Sequence, residues 1–222
     1  MAISELFSDF HLGFSIIVEL CPIIPLFYAF KRIKQWNDGI TFFVLFLLSE
    51  LLLNLLGDYY VLNRRNNLFL YHFYAFSRCI FIFLMYDRFF ENKKRIFLFT
   101  VLFVLLIYIF YDYLYLSKTH NSYNYLSGFI ISTVITIISA YYFAINVPKN
   151  KSSHLDDFYL VISLVLTLQF LITSLNFILE KFLLDTLNNI MLWVHMKNIY
   201  YYFMLLCFII YANAFRNIKK KY

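Results

Sequence analysis

Seven apolar stretches, each about 20 residues long and joined by short polar connections, constrain this chain more than any other feature of its sequence. A helix rises about 1.5 Å per residue, so stretches of this length match a hydrocarbon core about 30 Å thick. They run Leu12–Phe30, Ile40–Leu62, Leu68–Tyr86, Ile96–Leu116, Asn124–Ile145, Phe158–Leu179 and Ile190–Asn213. A backbone surrounded by lipid must satisfy its own polar groups, and at this segment length the α-helix does so. The expectation is an all-α, polytopic membrane bundle of seven transmembrane helices, forming a single domain over 1–222. A chain that is 62% hydrophobic and 14% charged, with 4 glycines, excludes an ordinary soluble domain.

Charge distribution sets the expected orientation. The net charge of +6 would suggest nucleic acid in a soluble protein, but here the basic residues segregate by connection. One side carries thirteen: Lys31, Arg32, Lys34, Arg88, Lys93, Lys94, Arg95, Lys149, Lys151, Arg216, Lys219, Lys220 and Lys221. The other carries four, Arg64, Arg65, Lys118 and Lys181. The positive-inside rule then puts the N-terminus outside and the C-terminus in the cytoplasm. The basic tail reads as a topology signal or a contact to membrane lipids, and no nucleic-acid partner is expected. Glu5, Asp9 and His11 precede the first span without any Lys or Arg, so that span reads as an uncleaved anchor.

Tyrosines gather where spans end, at Tyr59, Tyr60, Tyr71, Tyr74, Tyr111, Tyr113, Tyr115, Tyr123 and Tyr125, as expected of rings at the headgroup level. Cys21, Cys79 and Cys207 all fall within spans, odd in number, and read as small apolar residues. Pro22 and Pro25 are expected to bend the first helix. Gly128, Ser132, Thr136 and Ala140 recur every four residues in the fifth span, a spacing that lets two helices approach closely. Thr133 and Ser139 can return their hydroxyls to the preceding turn's carbonyls.

Within the spans, polar residues are expensive and mark a lining. Glu50, Asn54 and Asp58 occupy about 80° of one helix face, and Gln169, Thr173 and Asn176 about 60° of another. Glu50, Arg78 and Gln169 lie about 15 Å deep, near the bilayer midplane. Glu19, His72, His195 and Asn198 fall in the outer half at about 6 to 12 Å. Glu19, Glu50, Asn54, Asp58, His72, Arg78, Gln169, Asn176, His195 and Asn198 are the expected wall of a polar cavity open to the outside and closed below by apolar packing. Glu50 and Arg78 match in depth on consecutive antiparallel spans and are the natural ion pair, either structural or ligand-binding.

Glu19, His72 and His195 could supply three ligands to a zinc ion, although they come from separate spans with no local spacing. Asp112 reads as interfacial. Lys197 points about 160° away from His195 and reads as a chain snorkelling to the outer headgroups, with Trp193 an interfacial anchor.

Asn67 with His72 at the start of the third span, and Trp193-Val194-His195 with Asn198 and Tyr201 opening the seventh, carry a resemblance over nearly the whole chain. They resemble an uncharacterised family of small seven-span membrane proteins common in Bacteroidota. The resemblance implies a helical bundle in the inner membrane and a role in signalling or envelope response. Alkaline ceramidase-like hydrolases look like a set with paired histidines on the last span, where this chain has His195 followed by Asn198. Rhodopsins need a lysine near the middle of that span, whereas Lys197 lies near its outer end.

The functional expectation is a receptor-like or signalling-accessory protein, binding a small or lipid-derived ligand and coupling to a separately encoded signalling partner. A metal-dependent membrane hydrolase acting on lipid, through Glu19, His72 and His195, is the alternative. A small proton-coupled transporter using Glu50, Arg78 and Asp58 is the third reading.

Overall fold

The computed structural model describes residues 13–63, 65–91, 93–116, 125–147, 154–187 and 189–218. Glu5, Asp9, His11, Arg64, Lys118, Tyr123, Lys149, Lys151 and Lys219 to Lys221, with the expected span boundaries Leu12 and Asn124, lie outside the described residues. Among the described residues every regular element is helical: α1 (13–19), α2 (Ile23–Lys31), α3 (Asp38–Leu62), α4 (Leu70–Phe89), α5 (Arg95–Tyr111), α6 (Tyr125–Asn146), α7 (His154–Lys181) and α8 (Ile190–Asn217). Short π-helical turns, Asp112–Leu116 and Phe182–Thr186, extend α5 and α7. Asn37 and Asn189 cap α3 and α8 by accepting from the amides of Ile40 and Leu192, each at 3.0 Å.

Among the described residues six rods are long and apolar enough to cross a bilayer: Gly13–Lys31, Asp38–Leu62, Arg95–Tyr115, Leu126–Asn146, Leu155–Leu184 and Ile190–Asn217. They mark a multi-pass membrane protein. The expected third span is not among them. Its helix, α4, has the length at 20 residues, but His72, Arg78, Asp87 and four tyrosine and serine neighbours lower its hydropathy. The polar residues that make α4 a weak span are the ones it uses toward α3, α5 and α6, against which it packs.

The first rod breaks where the prolines predict. Pro22 offers no N–H to the Val18 carbonyl, and Pro25 none to that of Cys21. The chain tightens instead, Cys21 N–H donating to Val18 O (3.0 Å), Ile23 N–H to Leu20 O (3.0 Å) and Ile24 N–H to Cys21 O (2.9 Å). In a regular helix the Ile23 amide would serve the Glu19 carbonyl, so the break releases that oxygen. Asn54 of α3 takes it, its Nδ2 donating at 2.8 Å.

Close packing holds the rest. α6 and α7 form the most extensive helix pair, and a Cβ added at Gly128 would lie 2.4 Å from Cζ of Phe177. The small-residue stripe of α6 therefore includes a position where a ring of α7 sits directly over the backbone. Thr136, rather than Thr133 or Ser139, returns its hydroxyl to the preceding turn, at 2.8 Å from Ser132 O. Ser139 instead faces the buried Tyr86 hydroxyl, together with Ser163 of α7.

One half of the bundle is an aromatic layer. Phe43 meets Tyr211 edge-on at 5.0 Å and stacks with Phe215 at 5.9 Å, and Phe89 stacks on Tyr159 at 4.0 Å. Phe89 enters because Gly39 leaves room, a Cβ there lying 2.9 Å from its ring. The larger cavity and its polar lining occupy the other half.

Candidate ligand-binding cavity

The C-terminal halves of α3 and α7 and the N-terminal halves of α4 and α8 converge with α1 at one end of the bundle. They enclose a cavity of about 330 Å³. Each helix contributes one face. α4 supplies Tyr71, Tyr74 and Arg78, and α8 supplies Trp193, Lys197, Tyr200, Tyr201, Met204 and Phe208, intervals of three and four that stack on one side of a helix.

Glu50 and Arg78 form the floor as the sequence led us to expect. The guanidinium grips the carboxylate with two parallel bonds, Nε to Oε1 at 2.8 Å and an Nη to Oε2 at 2.7 Å. Glu50 is only 4% exposed, and the guanidinium is the partner that meets it there. The rings of Tyr74 and Phe170 flank Arg78, with centroids 5.3 and 5.7 Å from its guanidinium carbon. Beneath the floor, Gln169 is buried and accepts the Tyr211 hydroxyl at 2.5 Å. It belongs to the packing under the cavity and does not line it.

Asn54 lines the cavity as a brace. Its amide nitrogen holds the Glu19 carbonyl, and its oxygen accepts from the Tyr74 hydroxyl, so one side chain ties α1, α3 and α4 together. Above it, the Glu19 and Asp58 carboxyl groups hydrogen-bond to each other, and the Tyr201 hydroxyl donates to Glu19.

The third polar group was not anticipated. Glu180 is 6% exposed and holds Lys197 Nζ at 2.9 Å from its Oε2, while Trp193 Nε1 donates to its Oε1 at 3.2 Å. Asn176 Nδ2 lies 3.5 Å from the same Oε2. Lys197 therefore does not snorkel; it turns inward with 13% of its side chain exposed, and Trp193 serves as a cavity wall.

Glu19, Glu50, Asn54, Asp58, Arg78 and Asn176 thus gather as expected, whereas His72, His195 and Asn198 do not. His195 lies on the exposed face of α8, and Asn198 is half-buried outside the lining. His72 is one residue, about 100°, beyond Tyr71 and faces away toward α5 and α6. There its Nε2 sits 3.3 Å from Asp112 Oδ2, which also accepts from the Ser127 hydroxyl. Asp112 is fully buried rather than interfacial, beside a small void of about 30 Å³. Glu19, His72 and His195 occupy three separate places. Among the described residues no three His, Cys, Asp or Glu side chains are grouped to hold a metal ion.

Comparison of the chain with protein-family models, curated proteins and solved structures finds no match. The function must be read from the cavity. Its described lining contains neither His nor Cys, and each basic side chain in it already holds a carboxylate.

Proposed function

We propose that this chain is a receptor-like or signalling-accessory membrane protein that binds a small or lipid-derived ligand in the cavity between α1, α3, α4, α7 and α8. The single observation that carries the reading is the cavity itself. At about 330 Å³ it falls in the range of small-molecule sites, and its wall mixes charged and amide side chains with aromatic rings.

In the same reading α4 is a seventh span, its charges sheltered by α3, α5 and α6, and the helices alternate in direction. Thirteen basic residues against four then put the N-terminus outside, the C-terminus in the cytoplasm and the cavity mouth outward. The resemblance to the seven-span family of Bacteroidota supports a bacterial inner membrane and a separately encoded signalling partner. A lipid hydrolase built on Glu19, His72 and His195 has no support from their positions, and a transporter would need a route through the aromatic layer around Phe43, Phe89 and Tyr211.

The test is a thermal-shift screen of the purified chain in nanodiscs against amines, carboxylates, sugars and extracted lipids. The reading expects at least one class to stabilise the protein, and to lose that effect when Tyr201 or Met204 in the wall is replaced by Trp to fill the space. No stabilising class, together with no co-purifying lipid or partner, would overturn it.

A further inference from the structure

The geometry points to an ammonium group as the part of the ligand that this cavity recognises, seated against Glu19 and Asp58. The inference rests on the ligand-binding reading above and narrows it to one chemistry.

Charge balance gives the first argument. The lining holds four acidic side chains, Glu19, Glu50, Asp58 and Glu180, and two basic ones, Arg78 and Lys197. Arg78 is committed to Glu50 through two bonds, and Lys197 to Glu180 at 2.9 Å. Neither cation is available to an anionic ligand without abandoning a buried carboxylate, which would then stand uncompensated. Glu19 and Asp58 are what remain. The lining therefore has more acidic than basic side chains, and a cationic ligand group is the partner that this pair lacks.

The walls give the second argument, independent of the acids. Tyr71, Tyr74, Trp193, Tyr200 and Tyr201 all line the same space. Aromatic faces attract cations through their quadrupoles, most strongly where water is excluded, and rings grouped around a void are the way proteins recognise organic ammonium ions. Three of these rings already face cations, the Tyr74 centroid lying 5.3 Å from the Arg78 guanidinium carbon and the Trp193 and Tyr200 centroids 5.9 and 5.8 Å from Lys197 Nζ.

Size decides between an organic and an inorganic cation. A void of about 330 Å³ is far larger than a bare ion, and two carboxyl groups with one phenol are too few donors to replace its hydration shell. An ammonium head needs only a few acceptors and lets its apolar body lie along Val18, Leu70 and Phe177. Two sources share this chemistry: a free amine, and the headgroup of an amino lipid.

Calorimetry on the full chain in nanodiscs of phosphatidylglycerol would use three probes on one phenylethyl frame: 2-phenylethylammonium, 2-phenylethanol and 3-phenylpropanoate. The ammonium should bind at least tenfold more tightly than the other two, and Glu19→Gln with Asp58→Asn should abolish the difference. Asp58→Asn alone should weaken it about tenfold, which keeps the test open should the double variant fail to fold. Asn198→Ala, outside the lining, should change nothing. Phosphatidylethanolamine retained through native mass spectrometry by the parent chain but not by the double variant would support an amino lipid as the source. Ammonium binding without such retention would support a free amine. Binding of the alcohol or the carboxylate in preference to the ammonium would overturn the inference while leaving the cavity reading standing; binding of none of the three, with no lipid retained, would overturn both.

Discussion

Replacing Arg78 by Met would leave Glu50 in a place where it is 4% exposed, with no cation to hold it. The pair consists of two charge-assisted hydrogen bonds at 2.8 and 2.7 Å. Such bonds are worth about 1.5–3 kcal/mol each, and breaking one side of a buried pair costs about 3–5 kcal/mol. Arg78 keeps 16% of its side chain exposed toward the cavity, so water recovers part of the loss and the expected cost is about 3 kcal/mol. Glu50→Gln should cost less, about 2 kcal/mol, because the amide oxygen still accepts one bond. Combining Arg78→Met with Glu50→Leu removes both charges and fills the space with apolar atoms, so the double variant should recover most of the loss. Reversible unfolding in mixed micelles of Arg78→Met, Glu50→Leu and the double variant, read as a double-mutant cycle, measures the coupling directly. A coupling of about 2 kcal/mol or more is expected; one below about 0.5 kcal/mol would refute the idea that the pair holds α3 to α4. If the double variant is stable and still binds ligand, the pair is the floor of the cavity and not part of its recognition surface.

Three further outcomes follow from the packing. Gly128→Ala should destabilise by about 1–3 kcal/mol, since its Cβ would lie 2.4 Å from the Phe177 ring, and Phe177→Leu should relieve part of that cost; unfolding of the three variants checks it. Asn54→Ala should cost about 1–3 kcal/mol by stranding the Glu19 carbonyl, and less in a Pro22→Ala background, where the helix can supply the Ile23 amide itself; equal costs in the two backgrounds would contradict this. Asp112→Asn should weaken the packing of α4 on α5 and α6 through the loss of its contacts with His72 and Ser127, read as faster hydrogen exchange at the start of α4. Ligand binding in the main cavity should stay within about twofold of the parent, a shift of about 0.4 kcal/mol.

The fold was largely legible because helix length and the bilayer are coupled by simple geometry, and the apolar stretches correspond to the helices with boundaries shifted by a few residues. The wall of the cavity was legible where polar residues repeat along a helix face. Glu50, Asn54 and Asp58 do so on α3, and Thr173 with Asn176 on α7. Glu180 was missed because apolarity ends at Leu179 while the helix continues to Lys181, and a boundary drawn at the first charge discards the residue that the helix turns inward. Lys197 was misread for a related reason: sequence shows a long basic chain near a span end but not whether a carboxylate waits inside. His72, His195 and Asn198 were included for their polarity and depth alone. The intervals on their own helices argue otherwise, since Tyr71, Tyr74 and Arg78 on α4 and Trp193, Lys197 and Tyr201 on α8 define faces that those three residues fall outside. The Asn54 brace was beyond reach, because it depends on a carbonyl that only the proline break releases.

Cysteine accessibility tests the cavity most directly. In a chain with Cys21, Cys79 and Cys207 replaced by Ala, single cysteines at Val61, Gly57 and Met204 report the cavity from mouth to floor, and one at Met85, fully buried, reports the opposite half. A membrane-impermeant cationic methanethiosulfonate applied to intact spheroplasts should modify the first three, more slowly with depth, and leave the cysteine at 85 untouched. Modification confined to 61, or reached only from the cytoplasmic side, would contradict an outward-opening polar cavity at this end of the bundle.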